Sequence, residues 1–226
     1  MTIHILNPNS SVHVTDGIAR AVAPIAVASG MPIACHTLTE GPPGIETQAH
    51  VDGVVAPLLA QAKGLEGDAS AFVVACFSDP GLAALREQVR VPVLGIAESA
   101  VLVAMMMGRR FGIVSILSRS IPRHMRYLGA MGVMDRLAGD MPLEMGVLEL
   151  ADEARAFARL VEVGRALRDG RGADVLILGC AGMARYRARL EAELKMKVVD
   201  PCQAAAGLAV GRVALRAAEK GAGDVG

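Results

Sequence analysis

Ala71-Phe-Val-Val-Ala-Cys76-Phe-Ser-Asp-Pro-Gly81 and Ala173-Asp-Val-Leu-Ile-Leu-Gly-Cys180-Ala-Gly-Met183 share one design, an apolar strand that breaks at a cysteine into a turn of small and polar residues. The likeness extends on both sides. Upstream, Ile3-His-Ile-Leu-Asn-Pro-Asn-Ser10 answers to Phe111-Gly-Ile-Val-Ser-Ile-Leu-Ser118. Downstream, Val91-Pro-Val-Leu-Gly-Ile-Ala-Glu98 answers to Lys197-Val-Val-Asp-Pro-Cys202. Each member of a pair follows its counterpart by close to half of the 226 residues, which is the mark of a duplicated unit.

Around these anchors strand and helix patterns alternate eight times. Strands are predicted near 2–6, 32–38, 71–76, 92–95, 111–117, 142–147, 173–179 and 197–199. Helices are predicted near 11–28, 47–64, 81–89, 96–107, 119–131, 149–169, 184–194 and 202–219. The strands are mostly continuous runs of Val, Ile and Leu without polar alternation, as expected when helices cover both faces of a parallel sheet. Alternation with helices implies right-handed βαβ units. The predicted class is therefore α/β, with two pseudo-symmetric lobes, each a four-stranded parallel sheet flanked by helices, and a site between them. The lobes are drawn at 1–98 and 99–204, with a C-terminal helix, 205–219, packing back on the first lobe and a frayed tail at 220–226.

Composition narrows the possibilities further. With 53% hydrophobic residues the chain has ample material for a core. The longest apolar candidate, Ile96 to Met107, contains Glu98 and stops at Gly108-Arg-Arg110, well short of the roughly 20 residues a bilayer requires. The opening lacks the form of a signal peptide, so a cytoplasmic location is expected. Basic and acidic residues balance at 23 each, which offers nothing to attract nucleic acid or a membrane surface. The local cluster Arg119, Arg123, Arg126 reads first as a solvated helix face. The four cysteines form no C-x-x-C, and the five histidines fall into no ligand spacing, so neither a disulfide framework nor a metal site is expected. No G-x-G-x-x-G or G-x-x-x-x-G-K-[ST] is present, so no cofactor is expected.

In open parallel sheets ligands gather beyond the carboxyl ends of the strands. Asn7, Cys76, Ser115 to Ser118 and Cys180 stand at such ends. After Cys76, Ser78 or Asp79 is expected to cap a helix beginning at Pro80, and free N–H groups there would favour a thiolate and hold a developing oxyanion. Ala181 and Gly182 after Cys180 would likewise let backbone N–H groups approach a ligand. A single cysteine at a strand end is most simply a small buried hydrophobe; two at matched positions point to paired proton-handling thiols. Cys35, within a strand, and Cys202, at a helix start, are assigned to packing, as is Met105-Met-Met107. Asn7 and Ser10 are candidates for substrate hydrogen bonds, although Asn and Ser in this turn also serve as local punctuation. Gly41-Pro-Pro-Gly-Ile-Glu46 reads either as a rigid loop over the site or as an ordinary connection.

Several of these segments together, Asn7-Pro-Asn-Ser-Ser11, Gly41-Pro-x-x-Ile-Glu46, Ala75-Cys-Phe-Ser-Asp-Pro-Gly81, Pro92-Val-Leu-Gly-Ile-Ala-Glu98, Leu178-Gly-Cys-Ala-Gly-Met183 and Val199-Asp-Pro201, resemble the aspartate/glutamate/hydantoin racemase superfamily, and within it the hydantoin and allantoin racemases. The resemblance spans nearly the whole chain. It implies a cofactor-independent isomerase in which Cys76 and Cys180, one as thiolate and one as thiol, exchange a proton at the carbon alpha to a carbonyl. Phe77, Ser78, Ser115, Ser118, Arg119, Ala181 and Gly182 then join Asn7 and Ser10 as candidate substrate contacts. The superfamily's amino-acid racemases carry C-N-T and G-C-T-E around their thiols, where this chain has Cys76-Phe-Ser78 and Gly179-Cys-Ala-Gly182, which turns the expectation away from free aspartate or glutamate. Arylmalonate decarboxylases have glycine at the first thiol position, so the presence of both thiols favours racemisation. An amino-acid (Asp/Glu) racemase, or a maleate isomerase or arylmalonate decarboxylase-like enzyme, is the alternative within the superfamily, and a non-enzymatic two-lobed binding protein a remote one. The partners implied are a small-molecule substrate and further copies of the chain in a homo-oligomer.

Overall fold

A computed structural model describes residues 1–223. Two four-stranded parallel sheets form its frame. The first contains β1 (Thr2–Asn7), β2 (Ile33–Thr37), β3 (Ala69–Val74) and β4 (Val93–Gly95) in the order β2-β1-β3-β4. The second contains β5 (Phe111–Ser115), β6 (Leu137–Pro142), β7 (Val175–Leu178) and β8 (Lys197–Val199) in the order β6-β5-β7-β8. The two orders are the same, as the repeat predicts. The central strands β1, β3, β5 and β7 are almost wholly buried because helices cover both faces.

Helices α1 (Val12–Ser29), α2 (Gln48–Gly53), α3 (Val55–Leu65) and α4 (Leu82–Gln88) surround the first sheet. The single helix expected over 47–64 is thus divided at Val54, whose N–H already bonds to the end of α2. Helices α5 (Ile96–Met107), α6 (Ile121–Met131), α7 (Glu153–Arg165) and α8 (Arg187–Leu194) follow. The last helix, α9 (Pro201–Gly223), returns to pack on α1, β3 and α5. Its backbone runs on through 220–223, where a frayed tail was expected, and 224–226 lie outside the described residues.

One strand lies elsewhere than predicted. The segment 142–147 is not β6; the strand is the preceding Leu137-Ala-Gly-Asp-Met-Pro142, half-buried along its whole length because it pairs only with β5 at the sheet edge. The segment after it stays close to β5 through Leu143 N–H to Ser115 O and Met145 N–H to Ile116 O. Leu143, Met145 and Val147 turn inward from it. They join an apolar cluster that runs from Ile3, Ile5, Val14 and Ile18 of the first lobe to Val114, Ile116 and Leu150 of the second. Each such buried side chain contributes about 1.5–3 kcal/mol, so the lobes share a core. Cys202 is fully buried in this cluster and Cys35 packs against its edge, whereas Met106 and Met107, assigned to the core, face solvent. Among the described residues no helix is long and apolar enough to cross a membrane.

Candidate active site

The carboxyl ends of the two sheets bring Cys76 and Cys180 to the wall of one cavity of about 30 Å³, which Asn9, Ile45, Ser120, Arg123 and His124 also line. That volume holds little more than a water or two. Across Val14, Val147 and Ala181 it adjoins a groove of about 420 Å³ between α1 and the turns at 147–151 and 181–185.

The turn after Cys76 is not the helix start that the sequence implies. Ser78 and Asp79 N–H groups donate back to Cys76 O at 2.8 and 2.9 Å, and α4 begins only at Leu82, with Gly81 in the left-handed conformation before it. Freed from capping α4, Asp79 caps a different helix: its carboxylate accepts from Ala97 and Glu98 N–H at the start of α5, both at 2.9 Å, and from Tyr127 OH at 2.6 Å. Without a helix dipole aimed at it, the Cys76 thiol follows its surroundings. Burial pushes it up to about 12, Cys180 and Asp79 add to the rise, and Arg123 and the Ser78 N–H oppose it. Burial likewise pushes Cys180 up to about 11 against the Gly182 N–H, with Glu46 and Asp200 adding to the rise. Both are therefore thiols at neutral pH in the closed site, contrary to the expected thiolate.

The other sequence candidates separate into lining and supporting groups. Phe77, Ser78 and Ala181 line the cavity, while Gly182 lines the adjoining groove. Asn7 is buried behind the wall, its Nδ2 donating to Asn9 Oδ1 and Thr15 Oγ1, each at 3.0 Å. It thereby orients Asn9, whose side chain does reach the cavity. Ser10 and Ser118 lie outside the lining, Ser118 on the surface. Ser115 is fully buried and bonded to His124 and Asp140, so it supports the site without meeting a ligand.

Arg119 and Arg126 are exposed, as a solvated face requires, and only Arg123 is half-buried, but all three also reach the opposite lobe. They carry α6 and the turn before it across to the first lobe: Arg119 donates to Glu46 at 2.6 Å, Arg123 Nε to Ser78 Oγ at 2.8 Å, and Arg126 to Gln48 at 2.9 Å. Glu46 also accepts from Val147 N–H at 3.0 Å, so the loop 41–46 ties the lobes together over the cavity. Gly44 permits this, because a Cβ there would stand 2.8 Å from Val147 Cβ. Gly44→Ala is expected to cost about 1–3 kcal/mol through overpacking, lowering the thermal midpoint by several degrees. An unchanged midpoint would mean that the loop does not bear on Val147.

Four lining groups were not assigned to the site from the sequence: Asn9, quoted only within its turn, Arg123, read as part of a solvated face, and Ser120 and His124. Ser120 Oγ is buried with no hydrogen-bond partner, and Asn9 has its Oδ1 engaged by Asn7 and Ser11 while its amide donors are uncommitted. Two hydrogen-bonding groups facing two thiols suit proton transfer at a carbon beside a carbonyl. Among the described residues no cluster of His, Cys, Asp and Glu is arranged to hold a metal ion.

Comparison with known proteins agrees with this geometry. The family model described as Asp/Glu/Hydantoin racemase matches residues 3–209. A hydantoin racemase of Pseudomonas sp. (strain NS671) is 35% identical over 205 residues, 88% of this chain and 81% of that protein. One from Paenarthrobacter aurescens is 35% identical over 219 residues, 95% of this chain and 92% of that protein. The solved allantoin racemase from Klebsiella pneumoniae superposes with a TM-score of 0.90 at 33% identity, covering 96% of this chain and 89% of that one. On sequence and fold alike, the chain belongs to the Asp/Glu/hydantoin racemase family.

Proposed function

We propose that the protein is a cofactor-independent racemase that inverts the carbon alpha to a carbonyl in allantoin or a 5-substituted hydantoin, with Cys76 and Cys180 as the two proton-handling groups. The observation that supports it is the pair of thiols lining one cavity at equivalent strand ends. One thiolate removes the hydrogen from one face, the carbanion delocalises into the ring carbonyl as an enolate, and the other thiol delivers a proton to the opposite face. Ser120 Oγ, the Asn9 amide and the N–H groups of Ala181 and Gly182 are the donors for the enolate oxygen. That similar proteins bear the names hydantoin racemase and allantoin racemase supports a cyclic substrate here over a free amino acid.

Small-ligand sites usually occupy about 300–1,000 Å³, so the closed cavity must open to admit a five-membered ring. Parting Val14 from Val147 joins it to the adjacent groove, which provides that space. Closure afterwards removes water from around the carbanion. The chain acts as a soluble, cytoplasmic homo-oligomer in this reading, in a compartment that keeps its thiols reduced.

Incubation of single enantiomers of allantoin, alkyl and arylalkyl hydantoins, aspartate and glutamate in deuterated water tests the proposal. Loss of optical rotation with uptake of one alpha-deuterium is expected for the ring substrates. Racemisation of aspartate or glutamate alone would replace the substrate class, and no exchange with any of them would refute the function.

A further inference from the structure

His124 lines the same small cavity as both thiols, with one ring nitrogen already committed. Its Nδ1 lies 2.7 Å from Asp140 Oδ2 and 3.2 Å from Ser115 Oγ, and Ser115 in turn donates to the other oxygen of Asp140. The side chains of His124 and Asp140 are 5% and 1% exposed, so this is a buried pair held by three elements, α6, β5 and β6. A carboxylate only accepts, so Nδ1 carries the proton and Nε2 presents a lone pair. No group among the described residues hydrogen-bonds to that Nε2. The ring also meets Phe77, the residue after Cys76, edge-on at 5.2 Å between centroids. The other polar or titratable groups facing the same space are Asn9, Ser78, Ser120 and Arg123, whose guanidinium is held by Ser78.

We propose that His124 is the proton shuttle between the two thiols, with Asp140 and Ser115 as its positioning residues. This role deepens the racemase reading and rests on it for the catalytic steps. The proton balance closes in one cycle. The Cys76 S–H bond breaks and, through a cavity water that gives up one proton as it takes another, an Nε2–H bond forms, leaving a thiolate across the cavity from an imidazolium whose charge Asp140 offsets. The thiolate takes the substrate's alpha hydrogen, so Cys76 becomes a thiol again, while Cys180 gives its proton to the opposite face. The Nε2–H proton then passes to the Cys180 thiolate, directly or through a cavity water, and restores two thiols and a neutral imidazole. The opposite enantiomer runs the same steps with the cysteines exchanged. The closed site needs such a group, since its burial holds both sulfurs protonated at neutral pH.

Alkylation by iodoacetamide without substrate, resolved peptide by peptide by mass spectrometry between pH 5 and 10, tests the shuttle separately from the substrate assignment. In the wild type the Cys76 rate is expected to level off near neutral pH, because its proton goes to His124. In His124→Gln, and more weakly in Asp140→Asn, the rate is expected to climb about tenfold per pH unit, as an isolated thiol does. Racemisation should fall by about 10²–10⁴-fold in His124→Gln through kcat, with KM little changed. A wild-type rate that climbs tenfold per unit throughout overturns the proposal without any variant, which covers the case of a variant that does not fold. A wild-type profile preserved in His124→Gln, with only KM raised, overturns it too and makes the residue a substrate contact. The expected alkylation profiles with no racemisation of any substrate would refute the racemase reading while leaving the thiol–imidazole exchange intact.

Discussion

Either Cys76→Ser or Cys180→Ser alone is expected to lower racemisation at least about 10³-fold, while each variant keeps the parent's fold and thermal midpoint within a few degrees. A serine hydroxyl occupies nearly the same space as the thiol but is a far weaker acid, so it neither becomes a base near neutral pH nor surrenders a proton readily. General acid–base groups supply about 10²–10⁴ in rate, and inversion needs one on each face of the carbon. The two losses should not multiply: the double variant is expected to be about as inactive as either single one, because the thiols act as a unit. Deuterium adds a sharper criterion. A variant that keeps one functional thiol can remove the hydrogen from one enantiomer and return a deuteron to the same face, so slow exchange without inversion is allowed for one enantiomer only. Retention of more than about a tenth of wild-type racemisation by either variant would mean that the two-thiol mechanism is wrong. Optical rotation and mass spectrometry on the same samples give both readings.

The frame of this protein was readable from the sequence because its central strands are enclosed. β1, β3, β5 and β7 have helices on both faces and a strand on either side, so almost every side chain must be apolar, and the sequence shows continuous runs there. β6 has a strand on one side only and is half-buried throughout, so Leu137-Ala-Gly-Asp-Met-Pro142 is under no such compositional demand. The neighbouring segment 142–147 has more strand-like residues, but its Leu143, Met145 and Val147 serve the contact between lobes. Duplication made the two cysteines legible, since each marks the same place in a repeated unit. The supporting chemistry had no such signal. His124 and Asp140 come from a helix and an edge strand 16 positions apart, and only the fold brings them together with Ser115. The arginines of α6 show the same limit: a periodic row of charge looks the same in sequence whether it meets water or the opposite lobe.

Asp79→Ala is expected to be the most damaging single change to stability away from the thiols, at about 3–5 kcal/mol and a fall of roughly 10 °C in the thermal midpoint. The carboxylate satisfies two backbone N–H groups of α5 and the hydroxyl of Tyr127, and all three would lose their acceptor beneath the surface. It also fixes the turn that carries Cys76, with Asp79 itself at φ 44°, and it ties α6 to the first lobe. Gly95 leaves room for the carboxylate, since a Cβ there would come within 2.1 Å of it, so Gly95→Ala should reproduce much of the defect without touching Asp79. The pH dependence has a definite sign. Burial lifts the Asp79 carboxyl to about 7, whereas in the unfolded chain it titrates near 4. Between these values the folded protein holds a proton that the unfolded chain has released, so this group's contribution to stability is full below about pH 4 and is lost as pH rises through about 7. Asp200, lifted to about 6 by burial, gives a slope of the same sign over a narrower window. Asp79→Asn removes the first titration and leaves the second, so urea midpoints measured from pH 4 to 8 should decline less steeply in the variant than in the wild type. Parallel profiles would mean that Asp79 is already ionised in the fold, and the stability it confers would then come from a charged cap on α5.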